Sequence, residues 1–152
     1  GFLEFARRRP GDKPAPQLAQ LRAQIDGRFW LHLGAGWRFF GPEHCITRLT
    51  AVLDAEPQVF QVGINFENAA KLTGASAAEQ AVRRTHDTGR YLLTEAMTSG
   101  PAMFDTARLD RAVGGVQGTG PDATAQRGRP AAGAGLRTAS LDEVLCISGQ
   151  YF

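Results

Sequence analysis

Three places in the sequence carry side chains with chemistry to offer. Cys45 follows Pro42 at the start of an expected helix, where the positive end of the helix dipole favours a thiolate. His44 is adjacent, but neighbours on a helix point about 100° apart, so a base for Cys45 has to be His32 or His86, brought in by the fold. That arrangement would make a cysteine hydrolase; the other reading is a half-buried cysteine on an amphipathic helix. The second place is His86-Asp87-Thr88-Gly89, where His86 is either a general base or a cation complementing a helix end. The third is Asp142-Glu143, a carboxylate pair just ahead of a terminal strand. Other patterns fall away. Gly34, Gly36 and Gly41 miss the dinucleotide spacing, with Phe39 in the place of the third glycine, and no Gly-Lys-Ser/Thr exists for a phosphate loop. The three histidines have no metal-ligand spacing. Cys45 and Cys146 form neither a zinc site nor a disulfide scaffold; a bond between the two stays open beside the reading of two small buried apolar residues.

The run Thr138-Ala139-Ser140-Leu141-Asp142-Glu143-Val144-Leu145, followed by Ser148-Gly149-Gln150-Tyr151-Phe152, resembles the closing motif of the ADP-ribosyltransferases, a family of bacterial toxins and effectors. In that family a Glu-x-Glu or Gln-x-Glu pair enters a strand of this kind. The resemblance implies NAD as substrate. It makes Glu143 the catalytic residue, binding the nicotinamide ribose and stabilising the oxocarbenium-like centre that forms as nicotinamide leaves. Thr98-Ser99 is similar to the family's central Ser-Thr-Ser and would shape the pocket. Val59 to Gly63 is similar to the strand on which the family carries an arginine for the NAD phosphates. Gln61 and Val62 stand there instead, so an arginine elsewhere, Arg38 or Arg90, would have to substitute for it on the diphosphate. Leu141 occupies the position where the family has Glu or Gln. The resemblance covers a few short pieces of the later part of the chain.

The elements that must position these residues follow from periodicity. Leu18, Leu21, Arg22 and Ile25 recur at helical spacing, and Asp26-Gly27 ends that helix. Phe29, Leu31 and Leu33 alternate with Trp30 and His32 as a strand, and Trp37 to Phe40 is expected as its return partner. A helix opens after Gly41-Pro42, buries Ile46, Leu49, Val52 and Leu53, and stops at Pro57. Val59 to Phe66 reads as a strand. Ser76 with Glu79 makes a capping box for a helix carrying Ala78, Val82 and His86. Tyr91 to Met97 fits helix or strand equally. Residues 114–135 hold seven glycines with Pro121 and Pro130 and read as a long mobile loop. Val144 to Gln150 alternates as a closing strand. Helices and strands mix without a βαβ rhythm, so the expected class is α+β: a single compact domain with a small mixed or antiparallel sheet.

Composition bounds the function. The chain of 152 residues suffices for one domain over 15–152, preceded by a flexible basic arm at 1–14 that contains Arg7-Arg8-Arg9. Of 17 basic residues only Lys13 and Lys71 are lysines, and 15 acidic residues hold the net charge at +2. That balance argues against a nucleic-acid partner. No apolar run is long enough for a membrane span, so no membrane partner is expected. The chain opens on Gly1, as a trimmed or processed chain would. Two functions from different classes follow. One is an NAD-dependent ADP-ribosyltransferase-like bacterial effector or toxin, secreted or delivered, modifying a protein or small molecule. The other is a non-catalytic effector domain, secreted or cytoplasmic, that meets a protein partner through its loop and through aromatics such as Trp37 and Phe39. A cysteine hydrolase on Cys45 is a distant third.

Overall fold

The structure, a computed structural model, describes residues 21–34, 36–40, 44–65, 82–94, 97–98, 100–112 and 135–149. The basic arm, Ser99, the capping box at Ser76 and nearly all of the glycine-rich stretch lie outside the described residues. In chain order the elements are β1 (Phe29–His32), β2 (Trp37–Phe39), α1 (Cys45–Ala55), β3 (Val59–Gly63), β4 (Val82–Thr85), β5 (Gly89–Thr94), β6 (Ala102–Asp105), α2 (Thr106–Ala112), β7 (Arg137–Leu141) and β8 (Cys146–Ser148). Residues 21–23 are helical and stop short of Asp26-Gly27, as the spacing predicts.

Six strands form one sheet in the order β1-β6-β3-β7-β5-β4, and β2 with β8 forms a second, two-stranded sheet. β3 and β7 run parallel, while β1–β6, β3–β6, β5–β7 and β4–β5 are antiparallel, so the main sheet is mixed. The α+β class and the single compact domain follow. α1 lays Leu49, Val52 and Leu53 on one face of the sheet, against Val62, Ile64, Met103 and Leu141. α2 packs Leu109 and Ala112 on Phe60, Ala102 and Phe104 of the other face. The pleat sends alternate residues to opposite faces. A register shift between Val59 and Gln61 interrupts that alternation in β3, so Val59 and Val62 lie in the α1 core and Phe60 in the α2 core.

Three sequence expectations change, and one left open is decided. Ile46 is 60% exposed and is not part of the buried stripe of α1; Arg48 is. The helix begins at Cys45, and its covered face runs through Arg48, Leu49 and Val52 rather than through Ile46. β2 does not return against β1. It pairs with β8, Phe39 opposite Cys146, which supplies the ladder partner that the C-terminal strand needs. Val82 to Thr85 is a strand and not helix, and His86 lies in the turn that follows. Pairing with β5 overrides the local helix signal there, and Gly89, at φ +63, makes the tight turn possible. Tyr91 to Thr94 is strand throughout.

Polar side chains close the ends of these layers. Arg108 donates through Nη1 to the carbonyls of Leu53, Glu56 and Val59 at 2.8, 3.1 and 2.7 Å, satisfying carbonyls that the end of α1 leaves open. Glu56, 6% exposed, accepts from Tyr91 Oη at 2.8 Å and is approached by Arg83 Nε at 3.2 Å. Burial, and then the hydrogen bond to Glu56, push the Tyr91 phenol up to about 12 from 10. Burial also pushes the Cys146 thiol up to about 11 from 9.

Both groups are acids that ionise more readily in the unfolded chain than in the folded one. Stability is therefore full below pH 9 and is lost as pH rises from 9 towards 12, while the unfolded thiol and then the unfolded phenol release their protons. The urea midpoint followed by circular dichroism should fall across that window. Cys146→Ala should remove the earlier part of the fall and Tyr91→Phe the later part. A midpoint as high at pH 11 as at neutral pH would show that neither group is buried as described.

Candidate functional site

Arg48 projects from the buried face of α1. Nη1 and Nη2 donate to Glu143 Oε2 and Oε1 at 3.0 and 2.9 Å, and Nε donates to the Thr88 carbonyl at 3.1 Å. The Arg48 side chain is 11% exposed and that of Glu143 41%. One planar guanidinium thus joins the helix, the β4–β5 turn and the turn between β7 and β8. Gly89 leaves the space for it: a Cβ there would stand 2.7 Å from Arg48 Nη2, in a backbone conformation with positive φ. Thr88, 1% exposed, fixes the turn through a 2.8 Å contact with Thr85 Oγ1 and a 3.0 Å bond from the Thr85 amide.

Arg90 lies on the same side of the molecule. Its Nε donates to Asp142 Oδ2 at 2.7 Å, and the Asp142 amide donates to the Arg90 carbonyl at 3.0 Å. Arg90 and Glu143 are therefore brought together at the β7–β8 turn, each guanidinium or carboxylate held by a counterpart. The other expected site residues are elsewhere. Thr98 crosses the opposite face of the sheet: its amide donates to Gln61 Oε1 and its carbonyl accepts from Gln61 Nε2, both at 2.9 Å, and its methyl sits against Gly63. Arg38 is exposed on β2, in register with Ile147. Ser99 is outside the described residues.

The residues of the hydrolase reading are dispersed as well. Cys45 is the first residue of α1, half-buried, behind His44 as N-cap. His86 is fully exposed, with Nδ1 3.1 Å from Asp87 Oδ1. His32 sits on β1 edge-on to Trp30, ring centroids 5.7 Å apart, and burial lowers its pKa from 6.5. Among the described residues no group of three or more His, Cys, Asp or Glu is gathered to hold a metal ion.

A second feature surrounds the small sheet. Phe39 and Phe40 are 43% and 63% exposed, and Val144 is 48% exposed. The Phe40 amide donates to the Leu145 carbonyl at 3.1 Å, which places these three side chains on one end of the β2–β8 ladder. Ile46, the second residue of α1, is exposed as well. Arg48 was not singled out from the sequence, although its place three before Ala51 and four before Val52 is the one signal that it shares their face. No family model matches the chain, and neither the curated proteins nor the solved structures contain a significant match.

The bidentate pair predicts a measurable coupling. Glu143→Ala strands the Arg48 guanidinium and should lower unfolding free energy by about 1–3 kcal/mol, the half-exposed carboxylate keeping the loss below that of a fully buried pair. In a double-mutant cycle, Arg48→Met with Glu143→Gln should show a coupling above about 0.5 kcal/mol. Additive single losses would show that the two side chains do not hold each other in solution.

Proposed function

We propose that the chain is a non-catalytic protein-binding module that meets its partner through the β2–β8 end of the fold. The observation that carries this reading is the set of large apolar side chains left in solvent there: Phe39, Phe40 and Val144. Exposed apolar clusters of this kind are uncommon on domains that bind nothing, and aromatic anchors dominate the energy of protein interfaces. The state of Glu143 supports the same reading. Both oxygens of Glu143 accept from the Arg48 guanidinium, so its charge is already offset by a fixed cation.

NAD-dependent ADP-ribosyl transfer is the second reading, and one observation favours it. Arg90 on β5 is paired with Asp142, the residue next to Glu143, so a diphosphate and a ribose could be addressed from one place if Asp142 and Arg48 released them.

Two measurements separate the readings. A photoreactive benzoylphenylalanine at position 40 should crosslink saturably to a defined protein in extract of the source organism. Excess unlabelled chain should compete, and the folded Phe39→Ser, Phe40→Ser chain should not. Equal labelling from the same group at position 84 on β4, or equal competition by the double variant, overturns the binding surface. For the transfer reading, NAD at a hundred times its dissociation constant should raise stability by about 2.7 kcal/mol; on the binding reading, millimolar NAD leaves the melting temperature unchanged.

A further inference from the structure

The two edges of the main sheet are finished differently. β4 forms one edge, and its Arg83, Arg84 and Thr85 are all exposed. Charged side chains on an edge keep it from pairing with another chain. β1 forms the other edge with Phe29-Trp30-Leu31-His32, which contains no Asp, Glu, Lys or Arg. All four residues are half-buried, whereas β6 beside them and β3 beyond it are buried throughout. Phe29 and Leu31 pack at the rim of the α1 core and Trp30 at the rim of the α2 core. Both apolar layers therefore run out at β1 with side chains still partly in water.

The ladder determines which backbone groups β1 leaves over. The Thr106 amide donates to the Arg28 carbonyl at 2.9 Å, and the Ile64 amide donates to the Pro101 carbonyl at 3.0 Å. Successive residues of an antiparallel strand bond to opposite sides. Pro101 and Met103 thus face β3, while Ala102 and Phe104 face β1, where His32 and Trp30 stand opposite them. Phe29 and Leu31 then point their N–H and C=O groups out of the sheet, and among the described residues no strand pairs with that edge.

We propose that β1 pairs antiparallel with β1 of a second copy, joining the two main sheets into one across a twofold axis. The edge calls for a strand without formal charge, largely apolar on both faces, with bonding groups free at alternate residues. β1 is itself such a strand. In the register that stays within β1, Phe29 stands opposite Leu31 of the other copy on the α1 side, and the two Trp30 rings meet across the axis on the α2 side. This contact uses the same surface on both copies and so closes at two. Each end of the joined sheet is then a β4, whose arginines repel the same edge of a further dimer.

The test weighs the intact chain in solution. Sedimentation equilibrium should give twice the 16.4 kDa of the chain at submillimolar concentration, falling to one chain on dilution. His32→Lys puts on β1 the kind of charge that guards β4, opposite Arg28 of the other copy in the same register; folded by circular dichroism, this variant should dissociate about tenfold more readily. The Phe39→Ser, Phe40→Ser chain should dimerise as before, since the small sheet takes no part. Amide exchange followed by NMR needs no variant: the Phe29 and Leu31 amides should be protected in the dimer and exchange freely on dilution, while those of Trp30 and His32 stay protected throughout. A single-chain mass at every concentration would overturn the proposal. So would a dimer whose Phe29 and Leu31 amides exchange freely, or one that survives His32→Lys and is lost with Phe39→Ser, Phe40→Ser.

Discussion

A guanidinium inside an apolar layer sets the terms for the structure around it. Arg48 occupies a position on α1 between residues that contact the sheet, so its charge has left water together with Leu49 and Val52. A charge in that setting is tolerated only when its donors are matched. The matching comes from two turns at once, through the Thr88 carbonyl and both oxygens of Glu143. Each partner lies in a turn, and turns are otherwise the least constrained parts of a fold. Holding Arg48 therefore fixes where β4 turns into β5 and where β7 gives way to β8. Gly89 is part of the same constraint, because any side chain at that position would occupy the space of the guanidinium.

The other end of α1 repeats the device. Arg108 gathers the carbonyls of Leu53, Glu56 and Val59 with a single nitrogen, tying the end of the helix and the start of β3 to α2 on the far face. Arg22 grips Asp110 with two nitrogens, and Arg28 bridges Asp54 and Asp105. This pattern gives the shortage of lysine a structural meaning. A planar fork with five donors can serve two or three acceptors from different elements, which an ammonium on a flexible stem does poorly. Arg22, Arg28, Arg48 and Arg108 are joints of the fold.

What was legible in the chain was local. β1 and β3 showed in alternation, α1 in helical spacing, and the closing strand in the run ending at Ser148. What was not legible depended on partners distant in sequence. β2 has no mark saying that it pairs with β8 instead of β1. Val82 to Thr85 carries a helix-compatible sequence that a strand neighbour overrides. The shift at Val59/Gln61 reassigns Phe60 to the other core for reasons that lie in β7. The same limit applied to the site. Glu143 and Arg90 were picked out as surface groups in search of a ligand, and the fold supplies each with a counter-ion of its own; Arg48, the residue that decides the state of Glu143, is an unremarkable arginine until the helix is laid on the sheet.

These two levels bear on function together. Any ligand that needed Glu143 would have to compete with a bidentate arginine that the helix, the β4–β5 turn and the β7–β8 turn all depend on. Removing the carboxylate from that pair strands a guanidinium in the core, so the turn and the core resist its use as a reactive group. The small sheet is under no such obligation. Trp37 and Cys146 of that sheet pack in the core, while Phe39 and Phe40 keep 43% and 63% of their surface in solvent. The charged joints thus fix the turns around the apolar core, and Phe39, Phe40 and Val144 are left in solvent at the end of the fold that those joints do not reach.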